Sequence, residues 1–340
     1  MEIEYVEYNE IKHLDELAKL EQYLWKGRSE SDLKNIFKWK YQKSDNISNA
    51  FVALDQGKLV AFRGFFINRY KVQNKILPIA VFADTVTHPS YRGKGLFSIL
   101  SKIGIEFLRE HGVIGVLALS SNEKSSPGYL KLGCGVLTEK ETSYRLLISS
   151  ILPYKQFKIQ NFNKRKERNS IKIATFDGMT EELATELAVF TDKHQHEAIS
   201  LVMDYDFWMQ RYAAPHWHYK FTLLYKNDIL SGYVVYREVL TGKISHVKIL
   251  DVNVIKSDYF KYLIQSVEYQ TSCKLMTMYT TCFNCENMTN MRKMFPLKKT
   301  GNKSNASTCI LFKKLSGDMD DSFFLRKENW KLSYIDLDNM

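Results

Sequence analysis

Apolar and charged residues alternate along the first 40 positions with the period of an α-helix. Leucines recur on one face of the first stretch, at Leu14, Leu17, Leu20 and Leu24. Charged residues between them fall largely on the solvent side, at Asp15, Glu16, Lys19 and Glu21. A second short run places Leu33, Ile36 and Phe37 at the same spacing. The pattern therefore predicts two amphipathic helices.

Short apolar runs separated by turn residues follow the helices and predict an antiparallel meander. Residues 50–62 read as two strands around a turn at Asp55-Gln56-Gly57-Lys58, which is typical of a hairpin. A third strand, at about 65–72, leads into the β-rich run 79–87. That run stops at His88-Pro89, because proline suits the end of a strand.

A glycine-rich loop comes next, between this strand and an amphipathic helix. The loop reads Arg92-Gly93-Lys94-Gly95, and Gly112 is placed to end the helix. The apolar positions of the helix recur at helical spacing at Leu96, Ile99, Leu100, Ile103 and Phe107. The continuous apolar run 113–119 then predicts a buried parallel strand.

The second half of the chain repeats this pattern weakly. Tyr41 and Tyr212 stand in register within aromatic segments, and a hairpin pattern recurs between Phe221 and Tyr236. Further on, Asp251 interrupts an apolar strand as Asp84 does in the first half. No glycine loop follows Asp251, so only the first half has this loop.

Bulk composition agrees with an ordinary globular protein of about two domains. The 340 residues are 45% hydrophobic and 25% charged, and the net charge of +10 favours anionic partners. The N-terminus has no signal-peptide pattern, and we expect a cytoplasmic protein that is not inserted in a membrane. Cys282 and Cys285 form a single C-x-x-C without a second pair, so no metal is expected.

The glycine loop has the properties that a diphosphate needs. A helix N-terminus offers backbone N–H groups, and the glycines allow close approach of an anion. Arg92 and Lys94 add positive charge inside the loop. The spacing fits neither a dinucleotide fingerprint nor a Walker loop.

The segment from Val86 to Phe97 resembles the acyl-CoA-binding motif of the GNAT superfamily of N-acyltransferases. Val86, Arg92 and Gly95 match the strand valine, the arginine and the inner glycine of that motif, whereas Phe97 stands where the family has a small residue. Asn122 and the run from Pro127 to Cys134 resemble the family's asparagine followed by Tyr-x-x-x-Gly-Phe.

The resemblance implies roles for particular residues. The cofactor-binding set is Val86, Thr87, Arg92, Gly93, Lys94, Gly95, Leu96, Phe97 and Asn122. Asn122 would contact the pantetheine arm, and Tyr129 would donate a proton to the departing CoA thiolate. The co-substrate is acyl-CoA, with acetyl or a short hydroxyacyl chain as the acyl group.

The base that accepts the amine proton has more than one candidate. Asp84 comes first because a carboxylate inside an apolar strand has its pKa raised by burial. The recurrence of an aspartate at Asp251, in the half without the loop, equally suits a structural role. His88 is an alternative, as are histidines of the second half that could reach a shared cleft, namely His194, His196, His216 and His218.

The second half supplies candidates for binding the acceptor. Arg211, His216 and Trp217 lie in an aromatic and basic cluster, and Tyr41 joins them from the first half. The layout resembles two-domain GNAT proteins of bacterial surface-polysaccharide pathways, which implies N-acylation of a dTDP- or UDP-linked amino sugar. The alternatives are an aminoglycoside or peptide amine as acceptor, a non-catalytic acyl-CoA-binding module, or a nucleic-acid binder. Nucleic-acid binding is not expected.

The expected fold class is α/β with mixed sheets, arranged as tandem GNAT-like domains of which the second lacks the phosphate-binding loop. The expected division is a catalytic domain at 1–150, a basic linker at 151–170, an acceptor-binding domain at 171–316 and a tail at 317–340. A monomer or homodimer is expected.

Overall fold

The architecture comes from a computed structural model, which describes residues 2–41, 50–119, 123–147, 155–194, 198–214, 217–279, 293–300 and 309–333. Its helices are α1 (Glu10–Glu21), α2 (Glu30–Lys40), α3 (Leu96–Glu110), α4 (Ser126–Lys131), α5 (Lys155–Arg168), α6 (Glu181–His194), α7 (Tyr205–Tyr212), α8 (Ser257–Gln270) and α9 (Asp321–Phe324). Polar side chains begin several of them. Asn9 accepts from the Lys12 amide at α1, and Ser29 accepts from the Asp32 amide at α2.

The strands form two separate sheets. In chain order they are β1 (Ile3–Glu7), β2 (Ala50–Asp55), β3 (Lys58–Val72), β4 (Lys75–Thr87), β5 (Gly115–Ala118), β6 (Gly135–Glu139), β7 (Glu141–Leu146), β8 (Ile171–Asp177), β9 (Ile199–Leu201), β10 (Lys220–Lys226), β11 (Ile229–Thr241), β12 (Ile244–Val254), β13 (Leu275–Tyr279), β14 (Leu297–Thr300) and β15 (Cys309–Lys314). The first sheet has the order β1-β2-β3-β4-β5-β15-β6, and β9 pairs with β3. The second has the order β14-β7-β13-β12-β11-β10-β8.

This confirms the predicted class, which is α/β with mixed sheets, built as two similar units in tandem, one around each sheet. In each sheet two central strands are parallel, β4 with β5 and β12 with β13, and the remaining pairings are antiparallel. In the second unit β12 ends at Val254 and α8 begins at Ser257, so two residues stand where the first unit has its glycine loop. The second unit therefore lacks the phosphate-binding loop, as the sequence indicates.

The two units exchange a strand. β7 belongs to the first 150 residues but pairs with β13 and β14 in the second sheet. In return β15, near the end of the chain, lies between β5 and β6 in the first sheet. A domain boundary at residue 150 therefore does not separate the two sheets. One strand from before the boundary belongs to the second sheet, and one strand from after it belongs to the first.

The hydrophobic core also crosses the boundary between the units. Its largest cluster joins Tyr70 and Leu117 of the first sheet to Trp208, Phe221 and Tyr233 of the second unit. Separate clusters lie under α3 and α4, under α1 and α2, and between the second sheet and α8. Because apolar burial is the main stabilising term, we expect the two units to unfold together.

Two segments differ from the sequence interpretation. The basic segment predicted as a linker or loop forms helix α5, on which Lys164, Arg165 and Glu167 are exposed. The predicted tail is part of the core through residue 333, because Trp330 is fully buried and its indole N–H donates to the Phe324 carbonyl at 2.8 Å. Periodicity missed both, since neither segment has a regular apolar stripe.

No helix in the described part of the chain combines the length and the apolar character that spanning a bilayer requires.

Candidate active site

The central parallel strands separate at the site where the sequence places the cofactor. Among the described residues, β4 pairs with β5 only from Ile79 to Val81, opposite Gly115 to Leu117. β4 then continues to Thr87. Its backbone groups beyond Val81 therefore lack ladder partners on that side and are available to an extended ligand.

The glycine loop closes one end of this gap. Gly93 and Gly95 both have φ of +77°, a left-handed conformation that favours glycine, and a Cβ at either position would point into open space. Gly95 caps α3, so the first amides of the helix have no acceptor within it and face the loop. The Lys94 ammonium lies 4.6 Å from the centre of the Tyr91 ring, and Arg92 Nε donates to the Thr87 carbonyl at 3.3 Å. This arrangement can bind an anion through backbone N–H groups.

Phe97, the large residue in a position where the family has a small one, points away from the loop. Its ring lies against Gly128, where an added Cβ would come within 2.3 Å of the ring. It also packs against Tyr129 at 5.5 Å between ring centres. Phe97 therefore connects the start of α3 to α4. Leu96 beside it is buried in the core.

A β-bulge turns Asp84 to the opposite side of the sheet. The pairs Arg63–Thr85 and Phe65–Phe82 leave one extra residue on β4. Phe82 accordingly packs in the cluster under α3 and α4, whereas Asp84, two residues on, contacts α2. Bulges commonly redirect side chains next to active sites.

Asp84 lies in a buried polar network under α1 and α2. Its carboxylate accepts hydrogen bonds from Lys40 Nζ, at 3.0 and 3.2 Å, and from the Tyr41 hydroxyl at 2.6 Å. The side chains of Lys40 and Asp84 are 0% and 5% exposed. Gly64 makes room for Tyr41, because a Cβ there would lie 2.0 Å from the hydroxyl. Lys40 and Tyr41 therefore hold Asp84 in one orientation.

A second carboxyl group lies beside this network. Glu21, which periodicity assigns to the solvent side, is fully buried at the end of α1, so that assignment was wrong. Burial, and then the nearby Asp84 carboxylate, raise the pKa of Glu21 well above the usual value of a glutamate. The Lys40 ammonium opposes this rise.

Tyr129 lies across the sheet from Asp84, in the core under α3 and α4. It is 4% exposed and packs against Phe82 at 4.8 Å between ring centres. Its hydroxyl oxygen accepts a hydrogen bond from Arg63 Nη1 at 3.2 Å. Asp84 and Tyr129 thus lie on the two faces of the sheet beside the open part of β4.

Arg63 is a site residue that the sequence analysis missed. It is fully buried on β3, in the apolar run Leu59–Phe66. Such a charge within an apolar strand is the feature that pointed to Asp84, and it would have identified Arg63 as well.

A cleft of about 560 Å³ lies between the two units. Trp25 and Arg28 line it from the loop between α1 and α2, and the second unit contributes Trp217, His218, Lys220, Arg237, Glu238, Val239 and Leu240. The Trp25 ring lies 5.6 Å from Lys40 Nζ, which connects the cleft to the Asp84 network. Three permanent cations face one carboxylate here, so the cleft is basic.

Only some of the predicted acceptor residues line this cleft. Trp217 lines it, stacked under the Arg237 guanidinium at 5.0 Å. Tyr41 lies below it, bonded to Asp84, and Arg211 is half-buried on α7 and does not line it. His216 lies outside the described residues, as do Asn122, His196 and the C-x-x-C cysteines. The part of the chain that is described contains no group of three or more His, Cys, Asp or Glu side chains able to hold a metal.

Comparison with known families assigns the class of the first unit. Residues 6–137 match the family model described as an acetyltransferase (GNAT) domain. Residues 6–137 are therefore similar to a GNAT domain, and the enzymes of this kind are acyl-CoA-dependent acyltransferases. A search of curated proteins by sequence found no match.

Solved structures share the fold over nearly the whole chain. A GCN5-related N-acetyltransferase from Anabaena variabilis has a TM-score of 0.62 at 11% identity, covering 93% of this chain and 73% of its own. A tandem GNAT protein from the clavulanic acid biosynthesis pathway gives 0.56 at 11%, covering 94% and 100%. The N-myristoyltransferase of Saccharomyces cerevisiae with bound myristoyl-CoA gives 0.56 at 11%, covering 92% and 78%. At these identities the likeness shows the tandem GNAT fold.

Proposed function

We propose that the chain transfers an acyl group from acyl-CoA to the amine of a nucleotide-linked amino sugar. The observation that carries this proposal is the basic, tryptophan-lined cleft, whose Trp25 ring lies 5.6 Å from Lys40 Nζ, the partner of Asp84.

On the donor side, the glycine loop would hold the diphosphate of coenzyme A. Backbone amides at the start of α3 and the charges of Arg92 and Lys94 suit that anion. The backbone of β4 around Val86 and Thr87 would bond the pantetheine arm, because the ladder to β5 ends at Val81. Bound acyl-CoA supplies a thioester carbonyl beside β4.

On the acceptor side, the cleft fits an anionic ligand with planar groups. Arg28, Lys220 and Arg237 can pair with a diphosphate, and the indoles of Trp25 and Trp217 can stack on a base or a sugar. A cationic acceptor such as an aminoglycoside would meet repulsion from the same three cations. The charge of the cleft therefore favours the nucleotide-linked sugar over that alternative.

The chain's own groups then have distinct tasks in the transfer. The neutral amine enters from the side of α1 and α2, where the Asp84 network can orient it and take up its proton. Backbone N–H groups of β4 polarise the thioester carbonyl. Tyr129, on the opposite face, donates a proton to the sulfur as the C–S bond breaks.

The direct test measures products and acceptor specificity together. Purified protein is incubated with dTDP- and UDP-linked amino sugars, aminoglycosides and peptides, each with several acyl-CoAs, and the products are identified by mass spectrometry. We expect an N-acylated nucleotide sugar and free CoA. Acylation of only the cationic acceptors, or CoA binding without any product, would overturn the proposal.

Variants of the cleft test the role of its charge. Arg28→Gln and Lys220→Gln each remove one contact to a phosphate, which corresponds to about a 10-fold rise in KM for the nucleotide sugar. KM for acyl-CoA should stay unchanged. Lys172→Gln is the matched control, because Lys172 is exposed on β8 and pairs with Asp228. An equal change in KM for the nucleotide sugar in all three variants would contradict a specific acceptor site.

A further inference from the structure

Arg63 is a buried cation without a carboxylate partner among the described residues. Its guanidinium carbon lies over four aromatic rings, 4.2 Å from the centre of Phe82 and between 5.3 and 5.4 Å from Phe65, Phe97 and Tyr129. Nη1 donates to the Tyr129 hydroxyl, whereas Nε and Nη2 have no hydrogen-bond partner within the part of the chain that the structure describes. The polar contact of this guanidinium is thus directed at one atom, the hydroxyl oxygen expected to act as the acid.

The arginine side chain can only donate hydrogen bonds, so the Tyr129 oxygen has to be the acceptor in its contact with Arg63. Because the Tyr129 oxygen accepts from Arg63, the tyrosine's own hydrogen has to point to another acceptor. We propose that Arg63 is a positioning residue for the acyl transfer, which turns the Tyr129 O–H towards the leaving sulfur and stabilises the negative charge that the Tyr129 oxygen carries once its proton has left. This inference rests on the proposed role of Tyr129.

The proton and electron balance of the step is simple. The amine nitrogen forms the C–N bond and loses a proton on the Asp84 side, and the C–S bonding pair leaves with the sulfur. The sulfur takes the hydrogen of Tyr129, and the resulting phenolate stays hydrogen-bonded to Arg63 Nη1 until solvent returns the proton. The guanidinium itself keeps all its protons throughout.

The stability of the fold does not account for Arg63. Burying a cation with two unpartnered donors is unfavourable, and four cation–π contacts offset only part of that cost. Replacing a buried charged group with an apolar one of similar size is often neutral or stabilising. The position therefore retains a charge that serves the reaction more than the fold.

Arg63→Met separates these two roles. The variant should unfold at the same temperature as the wild type or higher, while kcat falls about 10- to 100-fold and KM for acyl-CoA stays within about twofold. Arg63→Lys, which keeps the charge but not the planar guanidinium with its several donors, should recover part of kcat.

The double variant tests whether the two residues act together. In a Tyr129→Phe background, Arg63→Met should cause no further loss of kcat, because both residues act through one proton. Arg69→Met is the control, since Arg69 lies on the same strand but is exposed and paired with Asp204.

A measurement without any acceptor keeps this inference separate from the acceptor proposal. Free CoA is bound to the protein, and the thiolate absorbance is followed as the pH rises. The cation should make the bound thiol ionise at lower pH in the wild type than in Arg63→Met. Identical titrations, a lower unfolding temperature for Arg63→Met, or additive losses with Tyr129→Phe would each overturn the assignment of Arg63.

Discussion

The ion pair between Lys40 and Asp84 makes the sharpest prediction about the fold beneath the cleft. Lys40 Nζ lies 3.0 Å from Asp84 Oδ2, and both side chains are almost completely buried. Lys40→Met would leave the Asp84 carboxylate with the Tyr41 hydroxyl as its remaining partner in this network. Removing one member of a buried pair costs about 3–5 kcal/mol, because the other charge stays buried and uncompensated.

This loss should be easy to measure. Because the two units should unfold together, the unfolding entropy of all 340 residues corresponds to about 1.4 °C per kcal/mol. Lys40→Met should therefore lower Tm by roughly 4–7 °C in circular dichroism or calorimetry. The double variant Lys40→Met/Asp84→Asn should recover most of the loss, since it removes both charges and keeps an acceptor for Tyr41. Lys34→Met is the control, because the pair of Lys34 with Asp15 is solvent-exposed. A Tm for Lys40→Met equal to that of Lys34→Met would refute the reasoning.

Three further predictions concern neighbouring groups. Gly64→Ala should displace the Tyr41 hydroxyl, destabilise the protein by about 1–3 kcal/mol in urea unfolding and lower kcat, and an unchanged midpoint would contradict the packing. Because the pKa of Glu21 is raised in the folded state, its stabilising contribution is complete below the unfolded pKa and is lost as pH rises. Glu21→Gln should therefore raise Tm more at pH 7 than at pH 4. An equal rise in Tm at both pH values would contradict the raised pKa of Glu21. Burial raises the pKa of Cys134 to about 11, so alkylation at neutral pH, read by mass spectrometry, should label it only after unfolding.

The parts of the site that are local in sequence could be predicted. The loop Arg92–Gly95 lies between a strand and an amphipathic helix, and its glycines, apolar stripe and helix end at Gly112 are all short-range features. The structure has β4 ending at Thr87 and α3 running from Leu96 to Glu110. Asp84 was equally visible, since a carboxylate inside an apolar run stands out.

The exchange of β7 and β15 could not be predicted from periodicity. The local sequence of Glu141–Leu146 and of Cys309–Lys314 does not show which sheet each strand joins. That choice depends on packing between residues more than 100 positions apart, such as Leu146 opposite Leu275. For the same reason, domains defined as consecutive ranges of residues do not contain the same strands as the two sheets.

The partners of Asp84 were missed for a related reason. Lys40 and Glu21 lie on amphipathic helices, where a charged residue is normally assigned to solvent. They are buried because α1 and α2 end against the bulged part of β4, and no local pattern reports that contact.

Titration calorimetry with acetyl-CoA tests the central claim, that the loop at Lys94 binds the diphosphate. We expect saturable binding that weakens at least 10-fold in Gly95→Val, because valine is strained at a φ of +77° and its side chain would fill the open space in which the diphosphate is expected. Gly57→Val is the control, since Gly57 has a similar positive φ in the distant turn between β2 and β3. An acetyl-pantetheine without the diphosphate should bind weakly to all three proteins. Acetyl-CoA binding that is absent in the wild type, or equally tight in Gly95→Val, would contradict the account.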